Sequence, residues 1–181
     1  MTKTLSVGDL LYHSVHGLCC IKEIIKEKEA GKEKLRYALV PKLFSQMKLR
    51  FVIGADDVYA SGFHTPVSLK EANAILEYLT RSQVTATPLK AEPTTLNVFA
   101  EKNQTWALAQ SLLSCSRDEM QAKEQKKRQT LHRSAKGLVR ELAFVFEITA
   151  QEAAEKIRKS LERTLKVNSL VLSALESAHE S

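Results

Sequence analysis

His13, His16, Cys19 and Cys20 crowd into the stretch LLYHSVHGLCCI, and imidazole and thiol groups this close suggest two chemistries. One is a zinc site, which needs four ligands converging as a tetrahedron, commonly drawn as two pairs. The other is a thiolate nucleophile activated by a neighbouring histidine. No second ligand pair follows downstream. Adjacent residues on a strand also point to opposite faces, so only one of Cys19 and Cys20 could join the histidines. A nucleophile would further need a group that orients its base, and none accompanies this stretch. The expectation is structural: one cysteine is a small core residue and the other lies on the outer face. Neither a metal nor a cofactor is expected.

Catalytic patterns are missing elsewhere too. There is no Gly-rich phosphate loop, Gly-x-Ser-x-Gly elbow or His-Glu-x-x-His pair. Asp56 and Asp57 are neighbours and read as a loop end. His64, His132 and His179 form no ligand pattern, although His132 adds positive charge at lower pH. A non-enzymatic protein is expected.

Hydrophobic residues make up 44% of the 181, enough for one large domain or two small ones. No apolar run approaches the roughly 20 residues that span a bilayer, so no membrane association is expected. Gly8 and Asp9 interrupt the N-terminal apolar stretch, which makes a poor signal peptide. The odd set Cys19, Cys20 and Cys115 indicates reduced thiols and a cytoplasmic setting. Net charge is +6 and the pI about 9.2, a field that favours polyanions or acidic protein surfaces. Residues 123–140, KEQKKRQTLHRSAKGLVR, carry much of the excess.

Two different periods organise the chain. LLYHSV, CCIKEII, LRYALVP and KLRFVI are β-branched and aromatic segments separated by Gly- and charge-marked turns, with Gly31 supplying a hairpin turn. Four or five short strands in so few residues predict a small SH3-like (Tudor-like) β-barrel over residues 1–65. After Pro66 the pattern becomes helical. Ser68 and Glu71 predict a capping box, after which Leu69, Ala72, Ile75, Leu76 and Leu79 share a face. TATPLKAEPTT reads as a linker or a loop between helices. Thr149 and Glu152 predict a second capping box, opening a helix through Ile157, Leu161 and Leu165. The expected fold class is α+β, the barrel being followed by an all-helical bundle over residues 66–181.

VGDLLYHSVHG and DEMQAKEQKKRQTLHRSAKGLVRELAFVFEITAQEAAEKI, in this order and at this separation, resemble the CarD/CdnL family of bacterial transcription regulators. The N-terminal motif is also similar to the polymerase-interacting module of transcription-repair coupling factors. The resemblance covers roughly residues 5 to 160. It implies a barrel that docks on the β-subunit lobe of RNA polymerase, and a helical domain that touches promoter DNA at the upstream edge of the melted region. A family arginine at the polymerase falls on Arg50, near Lys48; a second falls on Glu27, a charge reversal. The family's minor-groove tryptophan falls on Leu96 and the arginine pair after it on Val98 and Phe99, leaving Leu96 and Phe99 as apolar candidates for DNA contact. Gly17 is implied to serve the backbone of the first turn, and His16 to hold that turn by hydrogen bonding.

Independently of the resemblance, a helix from about Asp118 to Phe146 sets Lys126, Arg133, Lys136 and Arg140 on one stripe at ~100° per residue. Leu131, Ala135, Leu138, Val139, Leu142 and Phe146 fall nearly opposite. Such a basic ridge either follows a phosphate backbone without reading sequence or is a solvated face, with Glu124 and Glu141 the acids near it. Trp106 reads as a core anchor in preference to a relocated wedge. The reading from sequence is thus a transcription regulator that binds RNA polymerase and modulates open-complex stability. The alternative is a protein–protein adaptor whose helical domain binds another partner. The apolar tail residues Leu170, Leu172 and Leu175 either extend the last helix or meet a partner.

Overall fold

A computed structural model of the chain describes residues 5–29, 32–42, 49–81, 104–117, 125–163 and 167–179. The fold is α+β, in two compact units, Met1–Pro66 and Val67–Ser181. The first holds strands β1 (Leu10–His13), β2 (Gly17–Glu29), β3 (Lys32–Pro41), β4 (Phe51–Gly54) and β5 (Phe63–His64), with a 3₁₀ turn at Ala55–Asp57. All pair antiparallel, in the order β4-β3-β2-β1-β5. Gly31, expected in the β2–β3 turn, lies outside the described residues.

Were this sheet flat, β4 and β5 would lie four strand spacings apart, roughly 19 Å. Instead the Phe51 ring of β4 comes within 6.0 Å of the Phe63 ring of β5, centroid to centroid. The sheet is therefore curled. A register shift between Ile21 and Glu23 helps bend β2, the longest strand. The concave side closes over Leu11, Cys19, Ile21, Tyr37, Leu39 and Phe63, joined by Leu5 and Val58. Alternation along β2 sends Cys20 the other way; expected on an outer face, it is also buried, with its Sγ 3.7 Å from the Gly8 carbonyl.

The second unit holds five helices among the described residues: α1 (Leu69–Arg81), α2 (Gln104–Arg117), α3 (Gln125–Phe146), α4 (Ala150–Glu162) and α5 (Ser169–His179). Both capping boxes form. The Glu71 amide donates to Ser68 Oγ and the Ser68 amide to Glu71 Oε2, and Thr149 and Glu152 repeat the exchange at α4. Asn168 Oδ1 accepts the Leu170 amide and starts α5, so the apolar tail forms a separate helix that buries Val171, Ala174 and Leu175. Leu165 and the TATPLKAEPTT segment lie outside the described residues. Helix α3 is central, packing against α2, α4 and α5 through Leu131, Ala135, Leu138, Val139 and Leu142. It ends with Glu147 in the left-handed region (φ 55°), where the Ile148 amide reaches back to the Ala143 carbonyl at 3.0 Å. Among the described residues no helix is long and apolar enough to cross a membrane.

Candidate docking edge and basic helix face

The histidines turn out to be parts of a turn. His13 Nδ1 accepts the Val15 and His16 amides at 3.1 and 3.3 Å, closing the β1–β2 turn, while Gly17 supplies a φ of +68°. The role expected of His16 thus belongs to the His13 ring, and His16 contributes its backbone N–H. The two imidazoles stack at 4.6 Å, and the His16 ring rests on Phe51 at 4.4 Å. Burial first, and then the His16 ring, push the His13 pKa below the usual imidazole value. Burial, followed by the neighbouring Cys20, pushes the Cys19 thiol up to about 11, which leaves it a poor nucleophile at neutral pH. Among the described residues no three His, Cys, Asp or Glu side chains gather where a metal ion could sit.

Strand β4 is one of the two edges of the sheet, hydrogen-bonded only to β3 among the described residues, and half-buried except at Val52. Arg50 stands immediately before it, exposed, with Nη2 2.6 Å from Glu23 Oε2 on β2. Val52 and Leu49, at 46% and 41% exposure, flank it with apolar surface. Glu27 is not an isolated acid, because Arg36 Nε lies 3.3 Å from its carboxylate across the hairpin. Both pairs are about half exposed, so each contributes little to stability and leaves its charges open to exchange with a partner's. Lys48 lies outside the described residues.

On the helical unit the ridge residues occupy one side of α3: Lys126 and Arg133 exposed, Lys136 and Arg140 half-buried. Glu141, expected among the ridge charges, is absent from it. Its side chain is fully buried, accepting the Val67 amide at 3.1 Å and the Thr105 hydroxyl at 2.8 Å, and so ties α3 to α2 and to the start of the unit. Nothing in the one-dimensional pattern marks Glu141 except its place on the boundary of the apolar face. Trp106 is half-buried against the helical core, edge-on to Tyr78 at 5.6 Å. Leu96, Val98, Phe99 and Glu124 lie outside the described residues.

A cleft of about 790 Å³ opens between α4 and α5, with Ile148, Leu172 and Leu175 in its floor and Glu155, Arg158 and Lys159 on its rim. These charges satisfy one another. A hydrogen bond from Arg158 holds the Glu155 carboxyl below its usual range, which suits an ion-paired carboxylate and not a proton donor near neutrality. No family model matches the chain, and no curated protein matches it either.

Proposed function

We propose that the chain is a non-enzymatic, cytoplasmic transcription regulator of the CarD/CdnL kind. Its N-terminal unit is an SH3-like barrel that docks on the β-subunit lobe of RNA polymerase, and its helical bundle lies beside promoter DNA and alters open-complex stability. The observation that carries the reading is the β4 edge. It is an edge strand paired on one side with β3 among the described residues, half-buried except at Val52, with an apolar flank of Leu49 and Val52 and the Arg50 cation just before it. Such an edge suits strand addition by a partner, in which backbone hydrogen bonds supply affinity and Arg50 supplies register and steering. The basic face of α3 supports a second contact, with phosphates.

The mechanism is linkage. A regulator tethered to polymerase favours whichever promoter state its helical unit binds better, and only by the difference between those two affinities. The test is a pull-down of bacterial RNA polymerase core enzyme with wild type and Arg50→Glu. Wild type retains polymerase, and the variant loses at least about tenfold in affinity. Failure of wild type to retain polymerase overturns the reading.

The adaptor reading draws on Trp106. Half-buried against the helical core and edge-on to Tyr78, it supports the reading as a packing residue over that of a substitute for the family's wedge. Polymerase binding without any effect of Arg133→Glu or Lys136→Glu on DNA retention would favour the adaptor.

A further inference from the structure

Among the described residues of the helical unit, two large apolar side chains are strongly exposed: Leu69 at 56% and Phe144 at 40%. Leu69 belongs to the first turn of α1, a short step beyond its cap. Phe144 has a more pointed setting. At ~100° per residue it lies in line with Lys126 and within about 40° of Arg133 and Arg140, on the basic side of α3. The neighbouring Phe146 packs against the core, so the helix has one aromatic for its interior and places another outside.

We infer that Phe144 is a base-stacking residue terminating the phosphate track of α3, and that this face takes a nucleic acid strand carrying an unpaired base. From Arg133 to Phe144 the helix advances about 16 Å, with Arg140 one turn before the ring. Cations occupy the ridge up to Arg140. Beyond it the helix approaches its C-terminal end, where the backbone dipole is negative and disfavours phosphate; Glu147 adds a carboxylate there. A neutral base avoids that penalty and offers a π-face to the Phe144 ring. The ridge thus holds backbone while its end holds a base, an arrangement that a blunt duplex, with its bases stacked internally, cannot fully use. The inference rests on the proposed nucleic-acid role of the helical unit and does not depend on polymerase docking.

The test measures fluorescence anisotropy of the full chain, without polymerase, against a mixed-sequence single strand of about 20 nucleotides and the blunt duplex of the same sequence. Phe144→Ala is expected to weaken single-strand binding about tenfold, in the range of one lost stack, and to change duplex binding by less than about twofold. Its salt dependence should stay that of wild type, whereas replacing Arg133 and Lys136 by Ser lowers the slope by about one per cation. Phe144→Trp should retain affinity, with its added indole emission quenched by the single strand. Equal losses on both probes, an unquenched indole in the complex, or no single-strand binding by wild type would each overturn the inference. None of these results bears on retention of polymerase through Arg50, so the two proposals fail separately.

Discussion

At neutral pH the His13 ring accepts two backbone amides at Nδ1, and protonation of that nitrogen would remove both bonds. Its pKa lies below the ordinary 6.5, because burial first and the His16 ring second disfavour the cation. His64 acts in the same direction, and the Ser61 carbonyl opposes them. The unfolded chain therefore binds the proton more readily than the folded one, so the stabilisation from His13 is complete above pH 6.5 and declines as pH falls toward the folded value. Protection factors of the Val15 and His16 amides, which allow for the intrinsic slowing of exchange with acid, should accordingly fall between pH 7.5 and 5, and His13→Gln should remove that fall. Glu141 is the opposite case, a buried acid serving as acceptor. Glu141→Ala removes the acceptor of the Val67 amide and of the Thr105 hydroxyl and should cost on the order of 3 kcal/mol. The change would be read by urea denaturation followed through Trp106 emission. Sequence pattern picked out His13 by residue type yet misassigned the bond, because a ring's partner depends on how the turn closes. It set Glu141 near the basic ridge because burial of a carboxyl depends on partners distant in sequence.

Local signals predicted elements best. The Ser68–Glu71 and Thr149–Glu152 boxes span three residues each and can be read without tertiary information. Thr149→Ala removes the cap of α4 and should lower stability by about 1 kcal/mol, measurable as a lower thermal midpoint of helical circular dichroism. The apolar face of α1 was legible except at its edge. Ala72, Ile75 and Leu79 define a buried direction, from which Leu69 is turned by roughly 80° at ~100° per residue, and it is exposed. Strand β5 was hardly legible. It has two residues, Phe63 and His64, and exists only through its register with His13 and Tyr12. Periodicity has no purchase on so short a segment. The end of α3 was read at Phe146, where the helix stops, although the residue that turns left-handed after it is Glu147 and not the usual glycine.

Across the whole molecule the proposed function assigns the two compact units separable duties. Arg50→Glu should abolish polymerase retention while leaving oligonucleotide affinity within about twofold of wild type, since the substitution lies in the sheet unit and the cations proposed to track phosphate lie on α3. Serine substitutions at Arg133 and Lys136 should produce the converse pattern in the same two assays. The alternation between a β-rich and a helix-rich half was readable from composition and period, whereas the curl of the sheet was fixed by Phe51 meeting Phe63, a contact between residues whose strands are not neighbours in the sheet. The open side of β4 also carries a hazard. Backbone donors and acceptors on the side of β4 away from β3, beside the exposed Val52, would offer a template to any extended chain, including another copy of this protein. The strand is only four residues long and follows directly on the charged Arg50, two features that limit runaway pairing. If the proposed partner covers that edge, protein produced in excess of it would have the edge unoccupied, and solubility in a cell would become a matter of stoichiometry.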